Sequence, residues 1–168
     1  MSLHDFQIVD KGGHEHVPTR TWRTDAGSTA INAGEFVKLD SAGGSYATVL
    51  ANNEGTTTQI MLGLAKSTST HTATADGTVE VYAALPGIVY RGAATTVANI
   101  DTDAELLVIE GNRISLDQTG GAGTAFTFDE NEADATTNAF TVVGGDINAG
   151  TLDCELRMLT TISGNPTT

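Results

Sequence analysis

Lysine is nearly missing from this chain. Lys11, Lys38 and Lys66 are the only three among 168 residues, and all eight lysines and arginines together face 21 acidic side chains, giving a net charge of −13. Nucleic-acid binding is disfavoured by that balance, because displacing counterions from a phosphate backbone takes clustered cations, and Arg20, Arg23, Arg91, Arg113 and Arg157 are few and scattered. An anionic membrane surface is disfavoured for the same reason. Cysteine is reduced to Cys154, so no disulfide forms within the chain. Aromatic residues make up 5% of the sequence, which leaves little surface for stacking sugars. No run approaches the roughly 18 apolar residues of a membrane-spanning helix, and Met1–Gly13 holds no apolar stretch of signal-peptide length, so no export signal is expected.

What the sequence has in abundance is threonine, alanine and glycine. Threonine favours strands, while glycine, asparagine and aspartate punctuate turns. Apolar residues do not recur at a 3.6-residue period for long. Strands are expected at Glu35–Leu39, Ser45–Leu50, Gln59–Ala65, Thr78–Leu85, Ile88–Arg91, Glu105–Glu110, Arg113–Asp117, Thr124–Phe128, Ala139–Val143 and Thr151–Thr161. In the last of these Leu152, Cys154, Leu156 and Met158 alternate with Asp153, Glu155 and Arg157, the period of a strand with one buried face. Glu110-Gly111-Asn112-Arg113 reads as a two-residue hairpin turn between two apolar strands. The fold class expected is all-β, a compact barrel or sandwich of short strands over residues 25–168.

Residues 1–24 differ from that body. Lys11, Arg20 and Arg23 balance Asp5, Asp10 and Glu15, so the acidic excess lies beyond them. Gly12-Gly13 and Pro18 interrupt the segment, and it carries His4, His14, His16 and the only tryptophan, Trp22. It reads as an extended N-terminal arm. Trp and Arg are the residues most enriched at binding hot spots, which makes Arg20, Trp22 and Arg23 the candidate interface residues. The competing reading has Trp22 closing the protein's own core.

No constellation carries a recognisable reaction. There is no Gly-x-Ser-x-Gly elbow, and Gly120-Gly121-Ala122-Gly123 lacks the Gly-Lys-Ser/Thr of a phosphate loop. Cys154 sits mid-strand on the apolar face. Asp129-Glu130-Asn131-Glu132-Ala133-Asp134 is rich in carboxylates, but an EF-hand needs Gly where Asp134 stands and Glu where Phe140 stands. That run reads as an exposed, mobile acidic loop. His14-Glu15-His16 has no third ligand nearby, and Asp101 and Asp103 read as turn caps. The expectation is therefore a non-enzyme with no catalytic residue, no cofactor and no metal. The tetrapeptide Ile-Asn-Ala-Gly occurs at 31–34 and again at 147–150, and reads as one favourable turn used twice.

Between Ile31 and Gly92 the turns and strands follow a spaced pattern: Ala33-Gly34-Glu35, Val37-Lys38-Leu39, Leu62-Gly63-Leu64-Ala65, Asp76-Gly77-Thr78, Glu80-Val81 and Gly87. This pattern resembles the head-decoration, or cement, proteins of tailed bacteriophages. The resemblance implies a small β-barrel on the outside of the capsid. Its partner would be the major capsid protein, and it would self-associate, as a trimer ahead of a dimer. Its place would be the exterior of a virion assembled in the host cytoplasm. The alternative is a carbohydrate- or receptor-binding β-sandwich of a phage tail or adhesin.

Overall fold

The computed structural model describes residues 6–40, 46–50, 60–118, 126–131 and 134–157. Two five-stranded antiparallel sheets pack together, so the chain is an all-β sandwich. In chain order the strands are β1 (Gln7–Lys11), β2 (Thr19–Thr24), β3 (Phe36–Leu39), β4 (Ala47–Val49), β5 (Met61–Ala65), β6 (Gly77–Ala83), β7 (Ile88–Ala93), β8 (Arg113–Ile114), β9 (Leu116–Gln118), β10 (Phe126–Phe128), β11 (Phe140–Asp146) and β12 (Thr151–Leu156). One helix, α1 (Asp103–Ile109), follows a short 3-10 turn at Val97–Asn99.

The first sheet runs β1-β7-β12-β11-β8. Residues opposite one another in an antiparallel pair share a face. Ile8, Tyr90, Cys154 and Val142 therefore form one inward row across four strands. The alternation expected at the C-terminal strand holds: Leu152, Cys154 and Leu156 are buried, with Asp153 and Glu155 on the wetter face. Met158 and the rest of the expected strand lie outside the described residues, as do the glycines at 120–123.

The second sheet runs β2-β6-β5-β3-β4. Tyr82, Leu64 and Phe36 face the first sheet and join a large core whose centre is aromatic. Phe36 touches Phe6, Tyr90 and Phe140 with ring centroids 4.8, 5.0 and 4.8 Å apart. On the opposite face Val37, Leu62, Ala65, Val79 and Val81 form a second buried cluster with Ile31. That cluster is enclosed because the sheet curls until its edges meet. The meeting is a single parallel bridge, Arg23 to Tyr46. One bridge is not a ladder, so the barrel expected from the turn pattern is not closed among the described residues.

Asp76 holds this junction. Its Oδ2 accepts from Arg23 and from the Tyr46 hydroxyl, both at 2.9 Å, and its Oδ1 accepts from the Ala26 N–H. Those donors hold its carboxyl below the usual carboxylate pKa, the Tyr46 bond foremost.

Residues 6–24 are not separate from the body. β1 is the outer strand of the first sheet and pairs with β7, and β2 is the outer strand of the second and pairs with β6. The Gly12-Gly13 break and Pro18 mark the crossing from one sheet to the other.

The two Ile-Asn-Ala-Gly turns are alike in need and different in support. Gly34 and Gly150 both take positive φ, +85° and +64°. At the first, Glu35 is buried and accepts from the Asn32 backbone N–H (2.7 Å) and side-chain amide (3.1 Å). At the second, Asp146 accepts from the Asn148 and Ala149 N–H groups. The acid follows one turn and precedes the other, which fits a reused turn.

Candidate interaction surfaces

The three residues expected at an interface part company. Trp22 stands opposite Val79 and packs, half-buried, on the second cluster, so it helps close the protein's own core. Arg23 is engaged by Asp76 and lies over the Tyr46 ring at 5.0 Å. Arg20 is exposed on β2.

The described residues of the acidic run, 129–131 and 134, are not a free solvated loop. Glu130 is only 8% exposed, and its two oxygens accept from the Thr95 and Thr96 N–H groups at 2.8 and 2.7 Å, which begin the 3-10 turn. Asp129 accepts from the Asn131 N–H. Asp134 takes a bidentate pair from the Arg113 guanidinium. Glu130 thus answers two backbone donors that folding would otherwise strand. The proximity that suggested calcium serves hydrogen bonding, and among the described residues no group of three His, Cys, Asp or Glu is arranged to hold a metal. His14 meets the Pro86 carbonyl while His16 is exposed beside Glu15. Cys154 is buried, and burial pushes its thiol pKa up, the opposite of an activated nucleophile.

Glu105–Glu110, expected as a strand, belongs to α1. Thr102 caps it: the Glu105 N–H donates to Oγ1, and the Glu105 carboxylate accepts from the Thr102 N–H. This reciprocal box is legible as Thr102-x-x-Glu105 in the sequence, but four successive apolar residues after it suggested a strand. The hairpin read at Gly111-Asn112 is instead the exit from the helix, with Gly111 at φ +87°.

The helix has a consequence that a strand would not. Leu106 and Ile109, three residues apart, pack on the large core. Leu107 and Val108 point away and are 68% and 76% exposed. Val97 and Val143 are also exposed. Both belong to the same end of the molecule, since Val97 sits against Gly150 and Leu106 against Gly145 at the β11–β12 turn. Asp101, Asp103, Glu105 and Glu110 rim this apolar tip with negative charge.

A second surface is concave. Where β1 gives way to β2, the sandwich opens into a cleft of about 820 Å³. Phe6, Ile8, Val17, Leu64 and Tyr82 supply its apolar wall, and Lys11, His16 and Lys66 reach into it. No protein-family model matches the chain, and no curated protein matches it.

Proposed function

We propose that this protein is a structural component of a tailed-phage particle, a decoration protein that docks on the outer face of the capsid and bridges major capsid subunits. The apolar tip carries the reading. Leu107 and Val108 are held out on a capped helix whose other side packs on the core through Leu106 and Ile109. A contiguous exposed apolar patch rimmed by polar residues is the mark of a protein contact. The resemblance adds weight, because its spaced elements form adjacent strands β3, β5 and β6.

Such a protein strengthens a shell by mass action: binding the assembled lattice and not its separated subunits stabilises the lattice. The acidic rim disfavours symmetric pairing of two tips, since like charges would meet across the axis. Self-association, with a trimer ahead of a dimer, would use another face.

The test uses heads of the parent phage stripped of this protein. Added protein should co-sediment with expanded heads and raise the temperature at which they release DNA. Leu107→Asp with Val108→Asp should keep the circular-dichroism spectrum and melting temperature and lose co-sedimentation. Wild-type protein that fails to bind such heads would overturn the reading.

A further inference from the structure

The cleft beside β1 concentrates cations on a protein that has few. Lys11, His16 and Lys66 line it and no carboxylate does, so it holds two of the three lysines of a chain with net charge −13. Lys66 is anchored: its Nζ meets Glu80 at 3.1 Å and lies 5.9 Å from the centre of the Tyr82 ring. Lys11 is not. Among the described residues its side chain bonds the Glu15 carbonyl at 3.4 Å and no carboxylate pairs with it. Its charge is therefore available at the mouth of an apolar cleft.

The position of the cleft selects the kind of ligand. It lies along β1, the outermost strand of its sheet, with no strand beyond it. An extended chain beside a sheet edge gains main-chain hydrogen bonds as well as side-chain contacts, and a small amphiphile gains only the latter. The volume also falls in the range of a formed ligand site.

We propose that this cleft is a binding site for an extended acidic–apolar peptide segment of a partner protein, with apolar side chains between Ile8 and Tyr82 and a carboxylate on Lys11. Lys11 supplies the charge complementarity on this face. The apolar tip, ringed by acids, suits a partner of opposite character. The proposal does not depend on the capsid reading, since either surface can fail without the other.

The probe is an acetylated hexapeptide alternating valine with aspartate, titrated calorimetrically into the whole protein. Its control replaces each aspartate with asparagine. The acidic peptide should bind at least about tenfold tighter than the control, and added salt should erase the difference. Lys11→Glu should weaken acidic-peptide binding by about tenfold or more, while Arg20→Glu, on another face, should leave it unchanged. Both side chains are exposed, so both variants should fold. Equal affinity for the two peptides, no saturable binding up to about millimolar peptide, or indifference to Lys11→Glu would overturn the proposal. So would decanoate binding at Lys11 where the peptide does not, which would mark a small-amphiphile site.

Discussion

Arg113 and Asp134 form a three-point contact across 21 residues of chain. The Arg113 Nε and terminal nitrogen donate to the two carboxylate oxygens at 2.6 and 2.7 Å, and the Arg113 backbone N–H adds a third bond at 2.9 Å. The contact fixes the start of β8 to the loop before β11, so the acidic segment is a clasp.

The clasp sets a pH dependence. The Arg113 bonds hold Asp134 at a pKa of about 2, below its ordinary 3.8. A carboxylate depressed on folding stabilises the native state above its unfolded pKa and ceases to do so as pH falls through the folded one. Asp134→Asn should therefore be less stable than wild type at pH 6, and the gap should narrow between about pH 4 and pH 2. Urea midpoints across that range measure it. A gap that stays constant down to pH 2 would contradict the assignment.

Removing the N-terminal segment should unfold the protein. Deletion of residues 1–24 takes away the outer strand of each sheet together with Phe6, which is buried against Phe36 and Phe128. The expected result is loss of the cooperative melting transition. Phe6→Ala alone should cost about 3–5 kcal/mol, the usual loss for a buried phenylalanine. A truncated protein that melts near the wild-type temperature would reject the placement of both strands.

Gly63 is required by geometry. It takes φ +135° in β5, and a Cβ there would stand 1.9 Å from the Tyr82 carbonyl oxygen, part of the neighbouring strand. Backbone cannot move aside as a flexible side chain does. Gly63→Ala should lose about 2 kcal/mol or more, combining strain with overpacking. Denaturation at equal m-value decides it, and a change under about 0.5 kcal/mol, typical of neutral surface substitutions, counts against it.

Tyr90→Phe should do the unusual thing and leave stability unchanged or raise it by about 1 kcal/mol. The Tyr90 hydroxyl is buried without a hydrogen-bond partner among the described residues, and burial pushes its pKa upward. An unanswered buried hydroxyl costs about 1–3 kcal/mol. The ring contact with Phe36 survives the substitution. A loss of about 1 kcal/mol or more would mean that the hydroxyl has a partner.

Calorimetric melting with and without EDTA should superimpose. The nearest thing to a cation site in the sequence, the 129–134 run, has Glu130 and Asp134 already committed to Thr95, Thr96 and Arg113. A fall of several degrees on chelation, restored by calcium or zinc, would overturn this.

The chain's own repeat determined whatever depends on neighbours a few residues away. Leu152, Cys154 and Leu156 alternate with charge and are buried on one face of β12. Asn32-Ala33-Gly34 makes a turn because glycine tolerates positive φ there. Thr102 and Glu105 cap a helix by a bond spanning three residues, a signal that lies in the Thr102-x-x-Glu105 spacing itself. Partner choice depends on groups far apart in sequence, and tertiary structure alone decided it. Residues 7–24 look like an arm until β7 and β6 accept them as edges. Trp22 looks like an anchor until Val79 is placed opposite, and Asp134 looks like part of an exposed acidic loop until Arg113 arrives from 21 residues away. An unpaired edge, an indole and a carboxylate each admit several partners of equal chemistry, and the packing of the two sheets leaves one within reach.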